Sequence, residues 1–296
     1  MSSPVGVKSS GVLSFSLDDI IKAVLNADGS VSRVYEYDDG GWELEDLDDE
    51  RVATSEGDSV LITRYDDGQT DRVEIYSPAD FLFVDPDPSV PGVILFRSAR
   101  VRFDGGDDND DFEGSDEDDD FDCGDGDDRV FGYDGDDAIV GGRGHDDLYG
   151  DGGDDSIYGD LGDDSLSGGS NDDMLEGGFG DDRLIGDVGK DQMRGGRDRD
   201  LFVFNESADS LAGKRRDVII DFRWRKDQLD LKSIDAIPGG GDSAFAFLGS
   251  NPFSGVAGEL RYQDGILSAD LDGDRRADFQ VQLLGQPVLK ATSLIL

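Results

Sequence analysis

Residues 150–185 read GDGGDDSIY GDLGDDSLS GGSNDDMLE GGFGDDRLI, which are four consecutive copies of one nine-residue pattern. Glycine opens each copy, aspartate stands sixth and an apolar residue stands eighth. The same register extends in both directions without insertion and gives eleven contiguous copies, from Gly105 to Val203. A fixed period of this kind is typical of repeat architectures, in which each copy is one structural unit stacked on others.

Two positions of the repeat never vary in character. The eighth residue is apolar in all eleven copies, and the sixth is aspartate in all eleven: Asp110, Asp119, Asp128, Asp137, Asp146, Asp155, Asp164, Asp173, Asp182, Asp191 and Asp200. The first residue is glycine in ten copies, with Cys123 as the exception. The fourth is glycine in seven copies: Gly126, Gly135, Gly144, Gly153, Gly162, Gly180 and Gly189.

The repeat fits a six-residue turn followed by a three-residue strand. Side chains alternate along a strand, so the eighth residue faces inward while its neighbours face outward. Half a turn per copy gives a coil of two nonapeptides, so each copy stacks on the second copy along the chain. The sequence therefore predicts a parallel β-roll with an apolar interior ladder and two columns of aspartates.

The columns require a cation. Two carboxylates about 5 Å apart repel each other by roughly 3 kcal/mol at an effective dielectric of ~20. Calcium accepts six to eight oxygen ligands in flexible geometry, whereas zinc prefers histidine and cysteine. The turns offer aspartate carboxylates and glycine backbone, where glycine also permits a left-handed conformation. The sequence thus predicts about six to nine calcium ions.

This pattern resembles the RTX nonapeptide G-G-x-G-x-D-x-U-x, a calcium-binding β-roll motif. The resemblance implies that the sixth-position aspartates and the fourth-position glycines form the metal sites. The first two copies depart from it, because Asp108 and Glu117 stand at the fourth position. Residues 105–122 are therefore expected to form a ragged edge with weak calcium binding. Asn171 and Asp198 also replace the fourth glycine.

The last third of the chain carries a second resemblance. GGRDRDLFVF from Gly195, RDVIIDFRWRKDQLDLKSIDA from Arg216 and the final ATSLIL look like the C-terminal domain of serralysin-type metalloproteases. In that family the domain extends the β-roll and carries an uncleaved signal for type I secretion. The resemblance implies a secreted, extracellular protein that engages the type I apparatus through its C-terminus. The N-terminus agrees, since it shows no cleavable signal peptide.

Catalytic motifs are absent from the sequence. Serralysins need H-E-x-x-H and a third zinc-binding histidine, but this chain has one histidine, His145. Neither G-x-S-x-G nor a phosphate-binding loop occurs. We interpret His145 as a surface residue and Cys123 as a tolerated small residue. The sequence therefore predicts a non-enzymatic protein.

The charge excludes other classes of partner. Seventy acidic residues against 27 basic ones give a formal net charge of −43. Such a chain is a poor ligand for nucleic acid or an anionic membrane. No apolar run approaches the length that crosses a bilayer. With a single cysteine, an intrachain disulfide is impossible, so a bound metal is the expected means of stabilising the fold.

Composition divides the chain into three predicted domains in a mostly β fold. Residues 1–102 are a small α+β or all-β domain, 103–203 the β-roll, and 204–296 a β-rich extension. Ser16 and Asp19 are expected to begin a short helix that runs through Leu25. The role of residues 1–102 stays open between two further hypotheses. One is an adhesin or carbohydrate-binding module that contacts glycan or a cell surface, and the other is an enzyme of unrecognised type.

Two acidic groups lie beyond the repeats. The carboxylates at the end of the roll could add a calcium site: Asp217, Asp221, Asp227 and Asp230. The segment DLDGDRRAD is similar to a calcium loop but has Arg275 where that loop needs glycine. It is either an acidic β-turn or an extra ion site, built from Asp270, Asp272, Asp274 and Asp278.

Overall fold

The computed structural model describes the backbone of ten strands between Val5 and Gly106, and then residues 109–114, 118–239 and 243–296. The chain divides into two compact units, Met1–Asp147 and Leu148–Leu296. In the described residues, all regular structure is strand except for one turn of 3-10 helix at Ala291–Ser293. No helix in those ranges is long and apolar enough to cross a bilayer. The fold is mostly β, as the repeats predict.

The strands follow one another closely along the chain. Before the repeats they are β1 (Val5–Val7), β2 (Leu13–Phe15), β3 (Lys22–Leu25), β4 (Val31–Asp38), β5 (Gly41–Glu45), β6 (Arg51–Glu56), β7 (Ser59–Asp66), β8 (Gln69–Tyr76) and β9 (Val93–Leu95). The repeats form β10 (Arg100–Gly106), β11 (Asp111–Glu113), β12 (Asp120–Asp125), β13 (Arg129–Asp134), β14 (Ala138–Arg143), β15 (Asp147–Gly152), β16 (Ser156–Leu161), β17 (Ser165–Ser170), β18 (Met174–Phe179), β19 (Arg183–Val188), β20 (Gln192–Arg197) and β21 (Leu201–Val203). After them come β22 (Asp217–Ile219), β23 (Gln228–Asp230), β24 (Ala246–Phe247), β25 (Glu259–Gln263), β26 (Ile266–Asp270), β27 (Phe279–Leu283) and β28 (Leu294–Ile295).

Repeat strands pair in parallel with the second strand along the chain. In the first unit β12 pairs with β14, which places Phe121 beside Ile139. In the second unit β17 pairs with β19, which places Leu166 beside Leu184. Both pairs are eighteen residues apart. This spacing confirms the predicted coil of two nonapeptides.

The eighth residues form the interior ladder. None is more than 2% exposed: Phe112, Phe121, Val130, Ile139, Leu148, Ile157, Leu166, Leu175, Leu184, Met193 and Phe202. From β12 to β20 their neighbours within the strand are half-buried or exposed, as in β19, where Leu184 is buried between Arg183 and Ile185. The predicted register is confirmed. Burial of one large apolar side chain contributes about 1.5–3 kcal/mol to stability, so the ladder stabilises each unit through the sum of several such side chains.

The predicted strand length was wrong. The strands from β12 to β20 run for six residues, as in β17, rather than three, whereas β11 and β21 have the predicted three. After Gly168 the backbone stays extended and pairs again, Gly169 with Asp187 and Ser170 with Val188. The turn therefore occupies fewer residues of each copy than the glycine pattern indicates, because the first three residues of a copy still belong to the paired strand.

A pair of neighbouring residues on β19 tests the register. Leu184→Asp should lower the free energy of unfolding by about 3–5 kcal/mol, because burial is lost and a charge is left in an apolar interior. Ile185→Asp is the matched control, since it places the same charge on the outward face and should cost about 1 kcal/mol or less. Urea unfolding in saturating calcium measures both. Equal effects would contradict the inward assignment.

The second unit continues beyond the repeats in the same direction. β22 pairs in parallel with β20 and brings Ile219 beside Met193. β23 pairs in parallel with β21 and brings Leu229 beside Phe202. β28 then pairs with β23, and β27 with β22. Strands β25, β26 and β27 form an antiparallel extension of this sheet. The predicted strands after the repeats are confirmed.

The N-terminal strands follow the predicted hairpins in part. β4 pairs antiparallel with β5, and β7 pairs antiparallel with both β6 and β8. The predicted helix was wrong where the structure describes it, because Lys22–Leu25 is strand β3, paired with β4 and β9. The short apolar run at residues 23–25 fits a strand as well as a helix, because periodicity cannot distinguish the two over so few residues. The proposed start of that helix, Ser16 to Ile21, lies outside the described residues.

Candidate metal centre

All eleven sixth-position aspartates are buried, with none more than 3% exposed. Each precedes a repeat strand by one residue, so the parallel ladder brings them into register. Within each unit, carboxylate oxygens of these aspartates link consecutive coils by accepting from backbone N–H groups. In the second unit the amide of Asp155 donates to Asp173 Oδ1 at 2.9 Å, and that of Asp173 to Asp191 Oδ1 at 2.9 Å.

The same type of hydrogen bond occurs in the other column of the second unit and in both columns of the first unit. The amide of Asp164 donates to Asp182 Oδ1 at 3.0 Å. In the first unit the amide of Asp119 donates to Asp137 Oδ1 at 2.7 Å. The amides of Asp110 and Asp128 donate to the Oδ1 atoms of Asp128 and Asp146. Within each unit the structure therefore brings the predicted metal-binding aspartates together in columns.

The second oxygen of several of these carboxylates has no donor. Among them, the Oδ2 atoms of Asp128, Asp173, Asp182 and Asp191 are buried without a hydrogen bond. A buried charged oxygen without a donor or cation is strongly unfavourable. Hard oxygen atoms stacked in columns along a roll are the donor set that calcium accepts. The residues present therefore fit a calcium ion.

Burial raises the pKa of these carboxyl groups. The pKa of Asp173 rises to about 8, because desolvation disfavours its charge and the neighbouring Asp191 repels it, against the stabilising N–H of Asp155. The same cause raises the pKa of Asp191 to about 9. It raises the pKa of Asp128 to about 7 in the first unit. Without a cation, Asp173 and Asp191 hold protons at neutral pH.

First-position glycines leave room for the carboxylates. A Cβ on Gly177 would lie 2.3 Å from Asp182 Oδ2, and one on Gly159 would lie 2.4 Å from Asp164 Oδ2. The glycine is therefore needed for space, which the sequence pattern alone did not reveal. Cys123 takes this place in its copy and is fully buried. Burial and the adjacent Asp128 raise the pKa of its thiol well above the ordinary value, so it is an unreactive small residue.

Fourth-position residues adopt the left-handed backbone that was predicted for them. Positive φ occurs at Gly126, Gly135, Gly144, Gly153, Gly162 and Gly180, but not at Gly189. Asn171 and Asp198 also have positive φ, at 86° and 75°, so these turns keep their shape without glycine. At Gly180 space is limiting as well, since a Cβ would lie 1.7 Å from the carbonyl oxygen of Gly162.

Fifth-position side chains form a second ladder that the sequence analysis missed. Asp163 Oδ1 accepts from the amide of Asp181 at 2.8 Å, and Asp181 Oδ1 accepts from the amide of Arg199 at 2.9 Å. At the fifth position the amide of the later coil donates to the carboxylate of the earlier one, whereas at the sixth position the earlier coil donates to the later one. The fifth-position bonds lie at the surface. The signal was present, since the fifth residue is aspartate in seven of eleven copies. His145 occupies this position, is exposed and bonds Asp127 through its backbone amide.

Comparison with known proteins identifies the family. The family described as "Peptidase M10 serralysin C terminal" matches residues 135–296, which is more than half of the chain. The chain belongs to this serralysin C-terminal family. The family is the non-catalytic C-terminal repeat region of serralysin.

One solved structure that matches is the solution structure of the AlgE6R3 subunit from the Azotobacter vinelandii mannuronan C5-epimerase. The two share 23% sequence identity, over 54% of this chain and 77% of that chain, with a TM-score of 0.33. A comparison with curated proteins gives no match.

The serralysin C-terminal region extends the aspartate columns past the last repeat. The amide of Asp191 donates to Asp217 Oδ1 at 2.9 Å, and the amide of Asp200 donates to Asp227 Oδ1 at 3.3 Å. Asp221 instead accepts from the amides of Gly195 and Gly196. The carboxylate of Asp230 accepts from the amide of Lys232. Of the four acids predicted to end the roll, two therefore lie on the columns.

The serralysin-like segment DLDGDRRAD forms a hydrogen-bonded acidic turn. One carboxylate oxygen each of Asp270, Asp272 and Asp278 lies within 4.8 Å of the others. Both oxygens of Asp270 already accept, from the amides of Gly273 and Arg275. Asp278 Oδ2 accepts from the amide of Leu271 at 2.7 Å. These backbone donors favour the acidic turn, and the extra ion site at the same three carboxylates stays a prediction.

Proposed function

We propose that this chain is a secreted calcium-binding protein without catalytic activity, whose roll folds as it binds several calcium ions. The observation that carries the proposal is the set of buried Oδ2 atoms without donors on Asp128, Asp173, Asp182 and Asp191. Their carboxylates are held in register by the ladder, so one cation can satisfy acids from successive coils. The ion would supply positive charge, and the chain would supply the oxygen ligands in a fixed arrangement.

The proposed ligands are those that the repeat pattern predicts. They are the sixth-position aspartates from Asp110 to Asp200 and the turn backbone at the fourth-position glycines. Asp217 extends the set, because it is fully buried, joins a column and has an Oδ2 without a donor. We propose that residues 103–203 are the metal-binding domain and that residues 204–296 end it.

Ion counting tests the proposal directly. The full chain in saturating calcium should hold about six to nine ions. Isothermal titration calorimetry or elemental analysis of the dialysed protein gives the number. Asp173→Asn should lose at least one ion, because it removes a charged oxygen from a column. The control Glu206→Gln removes an exposed charge elsewhere and should lose none. Two ions or fewer in the unmodified chain would contradict the proposal.

We also propose export through a type I apparatus that recognises the C-terminal region. Support comes from the family, whose repeats are typically secreted. Deletion of residues 247–296 should leave the protein in the producing cell. Fusion of residues 204–296 to an unrelated passenger should carry the passenger into the medium. Export of the truncated chain at the normal rate would contradict this part of the proposal.

A further inference from the structure

One end of the aspartate columns contains a cation that belongs to the chain itself. Arg223 Nη2 donates to Asp200 Oδ2 at 2.9 Å and to Asp227 Oδ1 at 3.2 Å. Its Nε donates to Asp227 Oδ2 at 3.3 Å. Both carboxylates are buried, with side-chain exposures of 0% and 1%, whereas the arginine side chain is 35% exposed.

The guanidinium contacts the oxygen atoms that calcium is proposed to use elsewhere. Asp200 is the sixth residue of its copy, and Asp227 is the next member of the same column. Arg223 Nη2 also donates to the backbone carbonyl of Asp198 at 2.8 Å, and Asp198 is the fourth residue of that copy. A single side chain thus bonds a fourth-position carbonyl and two column carboxylates.

The other column ends differently. Asp191 and Asp217 stand at the corresponding level, and the Oδ2 atom of each is buried without a hydrogen bond. Within the described ranges, no lysine or arginine forms an ion pair with either carboxylate. The two columns therefore differ at their ends. A guanidinium lies between Asp200 and Asp227 in one column, and no guanidinium of the described residues contacts Asp191 or Asp217 in the other.

We propose that Arg223 is a built-in substitute for a calcium ion at the Asp200–Asp227 level, so this level needs no metal and Asp200 leaves the set of calcium ligands proposed above. An arginine stays charged at any physiological pH and offers several donors in a fixed plane, which suits two carboxylates and a carbonyl. The inference rests on the proposed function, because it assumes that the other levels bind calcium. In the folded roll, the C-terminal end of one column is therefore neutralised by a side chain of the protein and not by a metal ion.

Removal of the guanidinium should create a calcium site. Arg223→Gln leaves a polar side chain of moderate length but exposes the carboxylates of Asp200 and Asp227. The full-length variant should bind one more calcium ion per chain than the unmodified protein, as counted by native mass spectrometry in saturating calcium. Arg223→Lys keeps the positive charge and should bind the unmodified number. An Arg223→Gln protein that binds no additional ion, or does not fold in calcium, would overturn the proposal.

A second pair of variants gives an independent answer. Asp227→Asn should leave the ion count unchanged, because its level holds the arginine. Asp217→Asn, at the same level of the other column, should lower the count by one. An equal loss from both would overturn the role of Arg223 while the proposed function stands. Absence of calcium from the unmodified protein would overturn the proposed function itself, and with it this inference.

Discussion

Chelation of calcium at pH 7 is expected to unfold the roll, and calcium near the millimolar range is expected to restore it. The interior ladder supplies one buried apolar side chain per nine residues. That burial must offset about 1–2 kcal/mol of backbone entropy for every residue ordered. Without a cation, these carboxyl groups add to the deficit, because burial removes water from their charged form and neighbouring charges repel it, which raises the pKa values of Asp173 and Asp191.

Calcium reverses the balance by binding only the folded state. A site filled at ten times its Kd adds about 1.4 kcal/mol, so six sites add about 8 kcal/mol. The transition should therefore be steep in calcium concentration. Extracellular calcium modules have Kd values of roughly 10⁻⁴–10⁻³ M, well above cytosolic calcium. A chain with these properties would stay unfolded inside the cell and fold after export.

Circular dichroism of the full chain measures the switch. The spectrum in chelator should be that of a largely unfolded chain, and titration with calcium should produce β structure in one cooperative step. Magnesium is the control ion, because its preference for compact octahedral geometry makes it a poor substitute. Full β structure and slow amide exchange in chelator at pH 7 would contradict the switch.

The sequence was sufficient to predict the roll, because the nine-residue period determines which residues face the same way in successive coils. A nonapeptide with an apolar eighth residue can bury that residue only if successive copies alternate sides, which led to the observed eighteen-residue pairing of Leu166 with Leu184. The aspartate columns followed from the same register. Neither conclusion required knowledge of side-chain geometry, because each depends only on which residues face the same way.

Features that depend on atomic distances could not be predicted in this way. The need for glycine at position 177 arises from a carboxylate oxygen that would lie 2.3 Å from its Cβ, and a sequence pattern carries no such distance. Arg223 was overlooked for a different reason. It lies after the period has broken, since Asp227 follows Asp200 by twenty-seven residues rather than eighteen. Only the folded chain shows that this arginine returns to the column.

Acid is expected to substitute for calcium in the chelated protein. Burial raises the pKa of Asp128 and Asp182 to about 7, of Asp173 to about 8 and of Asp191 to about 9. The same groups have pKa values of about 4 in an unfolded chain. Between these values the folded roll binds protons that the unfolded chain releases, so folding without calcium takes up protons.

The direction of the effect follows from these pKa values. Stabilisation by protonation is fully present below about pH 4 and is lost as pH rises through the folded values. Each group that takes up a proton contributes a slope of about 1.4 kcal/mol per pH unit, and several act together. Circular dichroism of the chelated full chain should therefore show a larger folded fraction at pH 5 than at pH 8. Stability that increases with pH in chelator would contradict the prediction.

One variant separates protonation of the columns from a general reduction of negative charge. Asp173→Asn resembles the protonated carboxyl, so it should stabilise the chelated chain at pH 8 and flatten its pH dependence. Glu206→Gln removes one exposed charge and should leave the slope unchanged. In saturating calcium the order is expected to reverse, because the ions bind carboxylates and compete with protons. Asp173→Asn should then be less stable than the unmodified chain, and acid should weaken calcium binding.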